Sequence, residues 1–162
     1  SPAMITAKII VDTFELKITP EEFLKKRNAF ISQPLKHCSF IDGAKEITHK
    51  FKHDLNFKVA LATSSSKNNF DFETFNKKEW LKEDFDAIVL GDDKRIKNGK
   101  PAPDIFIIAA KDMSLEPKDC IIFEDSIAGI KAGISSGARI VVGIPVPHLR
   151  NKVYELQYEK NL

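Results

Sequence analysis

The chain has 162 residues, 43% of them hydrophobic and 30% charged, which suits one globular domain with a core of its own. A formal net charge of +2 leaves no electrostatic footprint for nucleic acid, and no apolar run approaches the roughly 18 residues of a membrane-spanning helix. The two cysteines, Cys38 and Cys120, have no metal-type spacing and point to a reducing, cytoplasmic setting.

The start, Ser1-Pro2-Ala3-Met4, has no basic stretch leading into an apolar one and does not read as a signal peptide. Ile5, Ile9 and Val11 to Phe14 form the apolar face of a first helix that ends near Leu16. Thr19-Pro20-Glu21-Glu22 is a helix start, with a capping hydroxyl, a proline at the first position and acidic residues in the first turn. That second helix is expected to reach about Ser32, with Pro34 to Phe40 as a connector. Lys25-Lys26-Arg27 falls on it and reads as a solvated face. Asp42 opens a third helix with Ala44, Ile47 and Phe51 on one side.

Beyond this point strands and helices alternate. Strands are expected at 57–62, 87–90, 120–123 and 139–144. A helix with an insertion fills the polar and aromatic stretch up to Trp80. Another runs from Pro101 to Met113, and a third carries Ile127, Ile130 and Ile134 until Gly137 stops it. Short apolar strands alternating with helices predict an α/β fold, a Rossmann-like parallel sheet with flanking helices. The expected division is 1–40 as a helical piece, 41–150 as the α/β core and 151–162 as a polar tail.

Ligands of open parallel sheets bind beyond the carboxyl ends of the strands, and three features fall there. Thr63-Ser64 follows the first strand, and its hydroxyls and N–H groups can hold phosphate oxygens or simply cap the next helix. Lys100, in NGKPAPDIF, sets a cation beside a proline-opened helix, an arrangement that suits a phosphate but also fits a solvated lysine. Glu124-Asp125 places adjacent carboxylates at the third strand's end, where a hard ion such as Mg²⁺ would offset their repulsion. Asp125 or Ser126 could equally cap the following helix. The three together point to one phosphate site more strongly than any one alone.

LATSS at 61–65, GKPAPDIF at 99–106 and FEDSIAGIKAG at 123–133 resemble the second, third and fourth motifs of the haloacid dehalogenase-like hydrolases. The nearest resemblance is to the subfamily of β-phosphoglucomutase and pseudouridine-5′-monophosphatase. IVLGDD at 88–93 and FDFETFNKKEW at 70–80 lean toward the latter. The resemblance implies a Mg²⁺-dependent phosphatase acting on a small phosphorylated metabolite, such as pseudouridine 5′-monophosphate or another nucleoside monophosphate. It makes Thr63 the hydroxyl that binds the phosphoryl group, with Ser64 beside it. Lys100 is then the lysine that steadies nucleophile and phosphate, and Asp125, helped by Glu124, the Mg²⁺-holding pair. The first 40 residues are similar to part of that subfamily's helical cap.

The family's first motif, an apolar strand ending in Asp-x-Asp-Gly, is missing from these 162 residues. Asp84-Phe85-Asp86 has the spacing but precedes its apolar run, and Asp12-Thr13 lacks the second aspartate. The resemblance therefore implies a helical-cap remnant, the loss of an N-terminal central strand and a truncated, inactive chain. It also implies low stability and self-association through unpaired strand edges. The alternative is a non-catalytic binding or interaction protein of the same fold.

Overall fold

The computed structural model describes residues 2–144; the tail expected over 151–162 and the last residues of the 41–150 core lie outside the described residues. The described residues divide into two compact units, one made of residues up to Ile41 with Asn68–Lys78, the other of Asp42–Lys67 with residues 79–144.

In the first unit α1 (Pro2–Thr13) packs against α2 (Pro20–Lys36). The expected start of α2 is present as a capping box. Glu22 N–H donates to the Thr19 hydroxyl at 3.2 Å, and Thr19 N–H donates to the Glu22 carboxylate at 2.9 Å. The helix does not end before Pro34, as expected, but continues to Lys36. A proline's fixed φ is itself helical, so what Pro34 forfeits is one hydrogen bond near a terminus. The segment 68–78 is held in this unit by Lys77, whose ammonium donates to the Cys38 carbonyl at 2.6 Å and lies 5.4 Å from the Phe40 ring. Ala7 and Val11 are buried, while Ile5, Ile9, Phe14 and Phe30 are 65, 59, 69 and 81% exposed, so much of the apolar face of these helices stays uncovered.

The second unit begins with α3 (Ala44–His49), which runs on into a π-helical turn, Lys50–Asp54. Its N-cap is Gly43 rather than Asp42; the chain there takes φ +81°, a conformation that glycine adopts without a Cβ penalty. After β1 (Ala60–Ala62) the chain enters the first unit, where α4 (Lys67–Glu73) lies, and the second unit resumes with α5 (Lys78–Asp84), β2 (Ala87–Val89), α6 (Asp104–Asp112), β3 (Ile121–Glu124), α7 (Ile127–Ser135) and β4 (Ile140–Gly143). Two helices therefore occupy the stretch up to Trp80 where one was expected. The alternation of strand and helix and the parallel pairing are those of a Rossmann-like α/β fold.

The strands form two parallel pairs instead of one sheet, β1 with β2 and β3 with β4. Among the described residues no strand pairs with the remaining edge of β1 or of β3. Helix α6 covers β1 and β2, and α7 covers β3 and β4. Val89, Ile105, Phe106, Ala109, Ile122 and Ala132 make a single core between them. Fully burying side chains such as Val89 and Ile122 stabilises the fold by about 1.5–3 kcal/mol each. This core fixes the carboxyl ends of β1 and β3, where the candidate site residues sit.

Candidate active site at the strand ends

Lys100 is the centre of the arrangement. Its side chain is 9% exposed, and its ammonium donates to the carbonyl of Ala62, the last residue of β1, at 3.2 Å. It also forms a short ion pair with the carboxylate of Glu124, the last residue of β3. The same ammonium lies 4.7 Å from the centroid of the buried Phe106 ring, whose electron-rich face favours a cation. One lysine thus links the ends of two strands that share no backbone hydrogen bond.

The helix after Lys100 starts later than its prolines predict. Residues 101–103 form a turn closed by Ala102 N–H donating to the Gly99 carbonyl at 3.0 Å, and α6 begins at Asp104 behind Pro103. Ala102 precedes Pro103, a position biased away from helical dihedrals, and the chain there is a turn rather than helix. Lys100 therefore stands clear of the helix start. The Asp104 carboxylate occupies that end, accepting from Lys97 N–H at 2.9 Å and Asn98 N–H at 3.0 Å. Those two backbone donors, Asn98 first, hold its carboxyl below the ordinary range.

Glu124 is buried and turned inward. Besides Lys100 it accepts from the Ser126 hydroxyl at 3.0 Å and from Ser126 N–H at 3.2 Å. Ser126 also caps α7, accepting from Gly129 N–H at 3.0 Å. Asp125 is exposed at the same strand end. The acidic pair thus divides, one carboxylate facing Lys100 and the other facing solvent.

Thr63 follows β1, with its N–H on the Val89 carbonyl at 3.0 Å and its hydroxyl oxygen accepting from Ser65 N–H at 3.1 Å. The hydroxyl helps build the turn while keeping its own proton to donate. Ser64 is exposed beside it.

Two glycines that the sequence reading passed over are required here. A Cβ on Gly91 would lie 2.2 Å from the Ser64 carbonyl oxygen, and one on Gly129 would lie 2.0 Å from the Glu124 carboxylate. Gly91 also donates its N–H to the Ser65 carbonyl at 2.9 Å, and Asp92 accepts from Lys67 N–H at 3.0 Å, which joins the loops after β1 and β2. Arg95 braces the second loop by pairing with both Asp93 and Asp112, and it holds the Asp93 carboxyl down at about 2. The signal for such glycines is their place at strand ends and in a small-residue helix, and only the close approach of another segment makes it decisive.

Asp84 and Asp86 do not lie at the carboxyl end of a strand. Asp12 lies within α1. Asp84 ends α5 and Asp86 precedes β2, and both carboxylates are engaged, Asp84 by Thr48 at 2.8 Å and Asp86 by Lys52 at 2.5 Å.

A profile of the haloacid dehalogenase-like hydrolases matches residues 4–142. The chain is 34% identical over 155 residues to a protein of Saccharomyces cerevisiae named "Probable pseudouridine-5′-phosphatase", spanning 91% of this chain and 64% of that protein. It is 33% identical over 142 residues to a bifunctional riboflavin kinase/FMN phosphatase of Arabidopsis thaliana, spanning 87% of this chain and 36% of that one. A crystal structure of a family IA haloacid dehalogenase-type hydrolase from Entamoeba histolytica superposes with a TM-score of 0.69 at 27% identity, covering 83% of this chain and 61% of that chain. The chain thus spans less than two thirds of the length of these relatives, and within that span it belongs to the haloacid dehalogenase-like hydrolases.

Proposed function

We propose that these residues form the phosphate-handling part of a Mg²⁺-dependent phosphatase for a small phosphorylated metabolite, with pseudouridine 5′-monophosphate as the favoured substrate. The observation that carries this reading is the Lys100 ammonium held between the ends of β1 and β3, beside Thr63. A buried cation fixed by a carbonyl, a carboxylate and an aromatic face keeps one position, which is what electrostatic stabilisation of a transferring phosphoryl group needs. The Thr63 hydroxyl donates to a phosphate oxygen, and Ser64 adds a second donor. Glu124 orients Lys100, while Asp125, exposed at the strand end, is the carboxylate that would hold Mg²⁺. The metal would supply charge neutralisation on the phosphate oxygens. Its donor chemistry fits, since Mg²⁺ takes one or two carboxylates and leaves its other positions to water and phosphate. The names of the relatives support both the phosphatase class and the nucleotide-like substrate.

We also infer that these 162 residues by themselves turn over no substrate. Phosphoryl transfer in this reading needs a carboxylate nucleophile facing Lys100; Asp84 ends α5 and Asp86 precedes β2, and Asp12 is a helical residue of α1 rather than the end of an apolar strand. The test pairs two measurements. Inorganic phosphate binding with Mg²⁺ is followed by calorimetry, and phosphate release is assayed on a panel of nucleoside monophosphates and sugar phosphates. Each is run on the wild type, Lys100→Ala and Asp125→Asn. Binding that both substitutions remove, without release, is the expected result. Mg²⁺-dependent release would sink the inactivity inference, and no phosphate binding would sink the site itself.

A further inference from the structure

Away from the strand ends, three side chains from two separate helices converge. His49 and His53 lie four residues apart, spanning the join of α3 and the π-helical turn, which puts them on one face with ring centroids 4.4 Å apart. Asp84, at the end of α5, sends one carboxylate oxygen to both. Its Oδ1 is 3.2 Å from His53 Nε2 and 3.5 Å from His49 Nδ1. The remaining oxygen, Oδ2, accepts from the Thr48 hydroxyl at 2.8 Å, and Trp80 Nε1–H donates to that same Thr48 oxygen at 2.8 Å.

We propose that His49, His53 and Asp84 form a binding site for a divalent transition ion of the zinc class, distinct from the strand-end site.

Four features carry it. The donor atoms of all three residues lie within 4.8 Å of one another, and they are the only such group of three among the described residues. The two printed separations, 3.2 and 3.5 Å, match the ligand–ligand edge of a tetrahedron with bonds of about 2.0–2.2 Å. The Trp80–Thr48–Asp84 chain is the kind of outer hydrogen bonding that aims a ligating carboxylate, here directing Oδ1 at the imidazoles. The Asp84 side chain is 4% exposed while the histidines are 62% and 40% exposed, so an anchored carboxylate backs two accessible nitrogens and leaves a fourth position open to water. Two imidazoles and one carboxylate select a borderline ion over Mg²⁺ or Ca²⁺, which take oxygen ligands. The π-helical turn fits this account, because such turns are frequent at functional positions. A bound ion would fasten the helix 44–54 to α5.

The test uses the whole chain with Mg²⁺ held saturating, so that a hard-ion site is already filled. Zn²⁺ is titrated by calorimetry and Co²⁺ by its visible absorption, and thermal melting is followed at rising Zn²⁺. The expected result is one equivalent bound, a Co²⁺ spectrum of tetrahedral intensity and a melting temperature that climbs with Zn²⁺ concentration. His49→Gln and His53→Gln, both at exposed positions, should lose all three signals while keeping the wild-type circular dichroism. Thr48→Val should weaken binding by about 10–100-fold through the outer hydrogen bond alone. These histidine variants decide the matter even if Asp84→Asn fails to fold. Absence of saturable binding overturns the proposal. So does binding that survives both histidine substitutions, or that disappears only when Cys38 and Cys120 are alkylated.

Discussion

Lys100 and Glu124 stand 24 residues apart in sequence and meet as a buried ion pair at the carboxyl ends of two strands that do not hydrogen-bond to each other. Their side chains are 9% and 7% exposed. Two charges removed from water need each other, and the pair therefore serves structure whatever the phosphate role proposed for Lys100.

Removing one member leaves the other buried without compensation. Lys100→Met should cost about 3–5 kcal/mol of stability, read from urea unfolding. Lys100→Met with Glu124→Leu should cost less than the sum of the single changes, by about 1–3 kcal/mol. Additive single and double values would show that the pair is not coupled.

The two glycines should behave differently. Gly91→Ala drives a Cβ into the Ser64 backbone, which cannot move aside, and should cost about 3 kcal/mol. Gly129→Ala meets the end of the Glu124 side chain, which can move only by giving up its bonds to Lys100 and Ser126, and it gains about 1 kcal/mol of helix propensity within α7. It should still destabilise, by less than Gly91→Ala, because it loosens the buried Glu124 from Lys100, and it should weaken phosphate binding. Unfolding curves and phosphate titrations on both variants check the order.

Asp86 gives a sign-definite pH dependence. Burial works to raise its carboxyl, but the Lys52 ammonium, Val59 N–H and the charges of Lys52 and Lys58 prevail and hold it below its ordinary 3.8. A lowered folded value means that its stabilisation is complete above 3.8 and is lost as the pH falls through the folded value. Asp86→Asn should therefore flatten the decline in unfolding free energy between about pH 5 and about pH 2. An unchanged slope would remove Asp86 from the acid response.

The capping box of α2 can be tested apart from the site. Thr19→Ala removes the acceptor for Glu22 N–H and should lower stability by about 1 kcal/mol, whereas Thr19→Ser should be close to neutral. Melting followed by far-ultraviolet circular dichroism distinguishes the two.

Much of this architecture is legible in the chain itself, because it depends on residues within a turn or two of one another. Thr19-Pro20-Glu21-Glu22 starts α2, Ile127, Ile130 and Ile134 set the rhythm of α7, and the four short apolar runs become four strands. The order hydroxyl, lysine, acidic pair at successive strand ends points to the family that the profile match shows. Local rules also misled where two of them competed. Pro34 read as a helix end, yet its fixed φ suits the last turn, and Pro101 read as a helix start, although α6 begins only at Asp104 behind the second proline, whose preceding residue is biased away from helix.

Only the tertiary structure decided the rest. The strands separate into two pairs, Glu124 turns inward to Lys100, and the Lys100 ammonium reaches a carbonyl 38 residues away. His53 finds Asp84 across 31 residues and Thr48 finds it across 36. Gly91 and Gly129 look ordinary until another segment lies where a Cβ would be. Periodicity and caps record which way a residue faces on its own element, whereas these contacts depend on where the core brings separate elements together.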